Sequence, residues 1–203
     1  MARPRTDIAP RILGAARDRF RQNGVDGASL RAIARDAGTS IGMIYYYFPT
    51  KDDLFFAVVE EVYVKFLASL ETTLATGSTL EERLIQLYER LGSISDDELD
   101  LVRLIAHEAL LSSPRFERLI ERFLTGHVPL VLRMLLDGLR DGSLDKRRHP
   151  IVLLLATFSL AGPPQMIRRK VDSRLPIPGV PSGKELAREL VDVLLHGIAA
   201  KPG

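Results

Sequence analysis

The sequence predicts an all-α protein: an N-terminal three-helix segment followed by a larger helical part, about nine helices in all. Three observations carry that reading. Apolar residues recur at spacings of three and four along most of the chain, with no run of strand-like alternation. Ser, Thr or Pro stands where many of these runs begin, and Gly or a basic cluster where several end. The chain is 46% hydrophobic, enough for a packed core, and shows no internal repeat or low-complexity tract.

Ile8, Ile12, Ala16 and Phe20 repeat every four residues in the first helix, with Thr6 or Asp7 as N-cap. Asn23-Gly24 ends it as a left-handed cap would. Ser29 caps a short second helix whose apolar face is Leu30, Ile33, Ala34 and Ala37. Gly38 breaks the pattern, and Ser40 caps a third helix that stops at Phe48-Pro49. Two short helices around a Gly-containing turn have the shape of a helix-turn-helix. Thr50 with Asp53 three residues on opens a long fourth helix to about residue 75. Thr79 opens a fifth carrying Leu80, Leu84, Leu87, Tyr88 and Leu91, and a sixth covers about 97–111. A seventh runs from Pro114 to about Arg140, with a kink or break expected at Gly126 and Pro129. Pro150 starts an eighth that closes on Arg168-Arg169-Lys170, cations suited to a helix C-terminus. A loop containing Pro176, Pro178, Gly179, Pro181 and Gly183 leads to the last helix, about 184–200.

Composition narrows the function classes. There is no Cys, so disulfide frameworks and thiolate metal sites are excluded, which fits a reducing cytoplasm. Met1-Ala2-Arg3-Pro4-Arg5 does not read as a signal peptide, and the apolar run Pro150–Gln165 is shorter than the roughly 18 to 20 residues a membrane span needs. A soluble, cytoplasmic protein with no membrane partner is expected. Residues 1–51 carry nine Lys and Arg against four acids, whereas the remainder is net −3. A basic end on a mildly acidic body suits nucleic-acid binding, although basic helix faces are also often merely solvated.

Residues 45–48 read Tyr-Tyr-Tyr-Phe, in a chain of five Tyr and eight Phe. Successive helical residues advance by about 100°, so these four rings cannot share one buried face. Phe48 follows Ile44 by four and that pair can point inward. Either one remaining ring is simply tolerated at the surface, or the tyrosines meet phosphates and base edges in a major groove. Gly42 and Met43 would then let the helix backbone approach closely. Lys51 opposes the dipole in the first turn of its helix, which a solvated lysine tolerates and a bound phosphate would explain.

The stretch from Ser29 to Leu54, Ser-Leu-Arg-Ala-Ile-Ala-Arg-Asp-Ala-Gly-Thr-Ser-Ile-Gly-Met-Ile-Tyr-Tyr-Tyr-Phe-Pro-Thr-Lys-Asp-Asp-Leu, closely resembles the DNA-binding signature of the tetracycline-repressor (TetR) family. Ile12 to Phe20 and Gly24 fit that family's first helix. The resemblance covers about the first quarter of the chain. It implies that Ile41 to Tyr47 form the recognition helix. Ser29, Tyr45, Tyr47 and Lys51 would touch phosphates, and Ile41, Gly42, Met43 and Tyr46 would lie nearest the bases. Ser40 belongs to the same surface, and Thr39, where the family usually has an apolar residue, is treated as DNA-facing. Readout through so few bidentate side chains would lean on backbone position and DNA shape. Arg3 and Arg5 would supply an arm over the DNA backbone.

The resemblance also divides the chain into a DNA-binding domain, 1–51, and an effector-binding and dimerisation domain, 52–203. The eighth helix is apolar all round, and the last has a broad stripe of Leu186, Leu190, Val191, Leu194, Leu195 and Ile198. On pattern alone these helices either share one monomer core or pair with a second copy. The family favours a homodimer through Leu154, Phe158, Leu190, Leu194 and Ile198, reading a palindromic operator. It further implies a small-molecule effector, hydrophobic or amphipathic, whose binding releases the DNA. Phe66, Tyr88, Arg103, His107, Phe123, His127 and Met134 are the candidate lining residues. The expected function is a ligand-released repressor; the alternative is an activator, or a DNA-binding protein without a ligand. Enzyme readings find little to stand on. The residues three before each His are Leu104, Leu124, Lys146 and Val193, so no Glu-x-x-His motif exists, and there is no P-loop or Gly-x-Gly-x-x-Gly. No catalytic residue, metal site or cofactor is expected.

Overall fold

Eleven α-helices and no strand make up the described residues of the computed structural model, 7–174 and 179–198. The predicted contributions of Arg3, Arg5, Thr6, Pro176, Pro178 and the chain beyond 198 lie outside them. The helices are α1 (Ile8–Gly27), α2 (Leu30–Asp36), α3 (Ile41–Tyr47), α4 (Lys51–Thr76), α5 (Leu80–Gly92), α6 (Asp96–Leu110), α7 (Pro114–Leu124), α8 (His127–Asp141), α9 (Pro150–Ala161), α10 (Pro163–Arg174) and α11 (Gly183–His196).

The count exceeds the expected nine because two predicted helices divide. The seventh breaks at Gly126, whose φ of −112° and ψ of −107° leave the helical region, giving α7 and α8. The eighth divides at Gly162 because Pro163 has no N–H to continue the ladder. Together α9 and α10 include Pro150–Val171, a stretch long and apolar enough by length and composition to cross a membrane, longer than the run read from sequence. Within α1, Gly24 (φ 69°, ψ 173°) ends the regular helix and starts a turn to Gly27, a left-handed φ that suits glycine.

The chain forms two compact units, each drawn from two stretches of sequence. One comprises the chain up to Phe66 with Ser95–Arg122; the other comprises Leu67–Ile94 and the chain from Phe123 onward. The first unit buries Ile12, Ala16 and Phe20 of α1, Ile33 of α2, Ile44 of α3, and Leu54, Phe55, Val58 and Val59 of α4. Phe20 meets Phe55 edge to face at 6.2 Å. Helices α6 and α7 add Leu101, Leu104 and Leu119.

The second unit is built on α5, which packs against α8, α9, α10 and α11. Its core holds Leu84, Leu87, Tyr88, Val131, Leu135, Ala161, Ala187 and Val191. The buried Tyr88 hydroxyl donates to the Thr157 carbonyl at 3.1 Å, and burial pushes this phenol well above its ordinary pKa. Gly138 lets α8 approach its neighbours, since a Cβ there would lie 2.8 Å from Leu80 Cδ2. Helix α9 shows two faces. Leu154, Thr157 and Ala161 are buried, whereas Ile151, Val152 and Leu155 are exposed.

Candidate nucleic-acid interface

Side-chain caps fix the two short helices. Ser29 Oγ accepts from Ala32 N–H at 3.5 Å to start α2, and Ser40 Oγ accepts from Met43 N–H at 3.2 Å to start α3. Between them Gly38 takes a φ of 61°, and Arg11 Nη1 sits 3.4 Å from where its Cβ would be. Thr39 N–H donates to the Ala34 carbonyl at 2.9 Å. Thr39 itself is half-buried, and its hydroxyl makes no hydrogen bond among the described residues.

With its ends set, α3 sorts its residues by the helical period. Ile44 is fully buried, Phe48 and Tyr47 are half-buried, and Tyr45 and Tyr46 are 50% and 77% exposed. Tyr46 packs edge to face on Tyr47 at 5.2 Å, so the exposed ring is braced. Gly42 is exposed, and Ile41 and Met43 are half-buried beside it. The structure therefore gathers Ser40, Ile41, Gly42, Met43, Tyr45, Tyr46 and Tyr47 on one short helix and its cap, with Ser29 exposed at the start of α2.

The basic excess of residues 1–51 is mostly committed inside the first unit. Arg17 pairs with Glu61 and Asp97 at 2.7 Å each, Arg19 with Asp36 at 2.6 Å, and Arg21 with Asp100 at 3.3 Å. Arg19 holds the Asp36 carboxyl below the usual carboxylate range through this hydrogen bond. Arg31 is different: it is exposed on α2 and makes no ion pair among the described residues. Its signal was an arginine two residues past the Ser29 cap, on the polar side of a short helix.

Lys51 is placed unlike a free phosphate anchor. Its Nζ donates to the Val25 and Asp26 carbonyls, both at 2.9 Å, in the last turn of α1 past Gly24. An ammonium has three donors, so one remains for another acceptor.

The seven candidate effector residues are drawn from both units: Phe66, Arg103 and His107 from the first, and Tyr88, Phe123, His127 and Met134 from the second. Arg103 is exposed and pairs with Asp100 at 2.8 Å on α6. His107 is also exposed, with its ring 3.4 Å from the Cβ position of Gly24. Phe66 stacks on Tyr63 at 6.2 Å in the first unit. In the second unit, His127 lies between Phe123 and Phe158, ring centroids 5.1 and 5.4 Å away. Tyr88 is buried and hydrogen-bonded, and Met134 lines an open cleft of about 240 Å³ with Leu74, Arg83 and Leu130. Of the expected dimer residues, Leu154 is only 8% exposed and belongs to its own unit's core, because a helix turns its successive residues to different faces. Phe158, Leu190 and Leu194 are half-buried, and Ile198 is 88% exposed.

Comparison with known proteins matches this region. The profile of bacterial regulatory proteins of the tetR family fits residues 12–58. The probable HTH-type transcriptional regulator YttP of Bacillus subtilis is 28% identical over 152 residues, 74% of this chain and 70% of that protein. The HTH-type transcriptional regulator RutR of Escherichia coli is 36% identical over 104 residues, 51% of this chain and 48% of that one. Among solved structures, the transcriptional regulator FadR from Bacillus subtilis in complex with stearoyl-CoA aligns over 94% of this chain and 99% of its own. That alignment has a TM-score of 0.77 at 20% identity, a likeness of fold.

Proposed function

We propose that this chain, whose residues 12–58 match the tetR family of bacterial regulatory proteins, is a helix-turn-helix transcriptional regulator of that family, and more narrowly a cytoplasmic, ligand-released repressor acting as a dimer. The observation that carries the DNA-reading part is the division of labour on α3. Ile44 is locked in the core while Tyr45 and Tyr46 stand outside it, braced by Tyr47. Tyr46, Met43, Gly42 and Ile41 face the bases, with Thr39 and Ser40 at the entry of the helix. Ser29, Tyr45, Tyr47 and the remaining donor of Lys51 take phosphates, and Arg31 joins them. Two such readers on one dimer would address half-sites about 34–36 Å apart.

The effector site is assigned to the second unit, around Phe123, His127 and Phe158 with Tyr88 and Met134. Rings with a few polar groups suit a hydrophobic or amphipathic molecule. Stearoyl-CoA, the ligand named for the FadR structure, makes acyl-CoA thioesters the first class to test. Binding would favour a state that fits the operator poorly, so the ligand acts by population shift.

The test is selection of duplexes from a random pool by the intact protein, followed by footprinting and a release screen. A single palindrome protected by the wild type, with preference lost in Tyr46→Ala, is the expected result. Steeply salt-dependent binding without sequence preference would sink the reading.

A further inference from the structure

Arg115 binds three carboxylates drawn from three separate stretches of the first unit. Its Nε donates to Glu108 Oε2 at 2.8 Å, Nη1 to Asp52 Oδ1 at 3.1 Å, and Nη2 to Asp26 Oδ2 at 2.8 Å. Glu108 lies in the last turn of α6, Asp52 in the first turn of α4, and Asp26 in the last turn of α1, past its kink at Gly24. The Arg115 side chain is 13% exposed, and the planar guanidinium gives all three bonds fixed directions. Glu108 is fully buried; its Oε2 also accepts from Ser113 Oγ at 2.6 Å, and its Oε1 has no hydrogen-bond partner among the described residues. Between them Ser112 sits at a φ of 49°, a left-handed conformation uncommon outside glycine.

The two outer carboxylates occupy telling positions. Asp26 lies just before α2 and Asp52 just after α3, so the helix-turn-helix segment is bracketed by the two acids that one guanidinium holds. Lys51 closes the same corner through the Val25 and Asp26 carbonyls. Exposed pairs such as Asp26 add little to stability by themselves. What a fork with one buried leg supplies is geometry.

We propose that Arg115 is a positioning residue for DNA recognition: from the α6–α7 elbow it staples both ends of the α2–α3 segment and so sets the presentation of α3. This rests on the reading of α3 as the DNA-contacting helix, and the test keeps the two apart. The full chain is compared as wild type, Arg115→Gln, Arg115→Lys and the double variant Asp26→Asn/Asp52→Asn. The double variant leaves the buried Glu108–Arg115 pair intact, so it folds even where Arg115→Gln does not.

The first readout is amide hydrogen exchange in the free protein, which needs no DNA. The staple predicts roughly tenfold faster exchange at 25–29 and 48–54 in the double variant, with the α4 core unchanged. The second is affinity for a duplex recovered by the wild type from a random pool, across a salt series. Removing two negative charges alone would strengthen DNA binding, so an affinity loss of about tenfold, with no fall in salt slope, reads positioning. Arg115→Lys, a single ammonium, restores only part of it. Unchanged exchange at both ends, exchange raised throughout the unit, or an affinity loss with a reduced salt slope each overturns the staple. Tyr46→Ala, which should abolish sequence preference and leave exchange untouched, reports separately on the reader.

Discussion

At the residue scale, Lys51 shows how one side chain can serve both fold and ligand. In sequence it is a cation against a helix dipole, which points to a phosphate. In the structure the same charge meets the Val25 and Asp26 carbonyls, a local demand that no spacing in the sequence discloses because the acceptors lie 25 and 26 residues away. Lys51→Ala should therefore have two separable effects. Loss of two charge-assisted, partly exposed hydrogen bonds should lower unfolding free energy by about 1 kcal/mol, read by denaturant titration. Loss of one phosphate contact should lower the slope of log affinity against log salt by about 0.9. A stability change with an unchanged slope would confine Lys51 to the fold. The inward Ile44 was legible from period, which also required some of Tyr45, Tyr46 and Tyr47 to face outward, whereas the membership of Arg103 and His107 in one unit and of Phe123 and His127 in the other was not. Those four share only chemistry in the sequence, and packing put them in different units.

At the element scale, most starts and stops were written locally. Ser29, Ser40 and Thr79 cap the helices expected of them, and Gly24 and Gly126 end theirs. Ser-x-x-Glu boxes at Ser95 and Ser182 carry the same signal. The break at Gly162 was harder to see because the apolar run continues through it. Hardest was the grouping of α6 and α7 with the first helices, which depends on ion pairs between distant residues. Three carboxyls of the first unit are held below their usual range by hydrogen bonds from arginine: Asp36 by Arg19, Asp26 by Arg115 and Glu60 by Arg122. A carboxyl whose folded pKa is lowered stabilises fully above its unfolded pKa, about 4, and that contribution is lost as pH falls through the folded value. The thermal midpoint of the first unit should thus be flat above about pH 5 and decline below about pH 4. Asp36→Asn should make the decline shallower, and a profile identical to wild type in scanning calorimetry would remove this pair from the account.

At the scale of the whole molecule, the strongest physical demand comes from α9. Ile151, Val152 and Leu155 are exposed on a helix whose other face is already buried, and Leu155 is 61% exposed beside Leu154 at 8%. Apolar surface of this kind, contiguous on one helix, favours burial against another protein surface. A second copy is the occupant we expect, because a two-fold interface repeats the same face and gives a palindrome two readers. The adjacent residues 154 and 155 then separate fold from assembly. Leu155→Glu should leave helicity and thermal midpoint near wild type while sedimentation shows a monomer, and affinity for the palindrome should fall by about a hundredfold or more as one reader's contacts are lost. Leu154→Glu should instead unfold the second unit, since burying an unpaired charge costs several kcal/mol. If the Leu155 variant sediments as wild type, the outward face of α9 is not the interface. The apolar stripe of α11, with Leu190 and Leu194 half-buried, would then be the next surface to break.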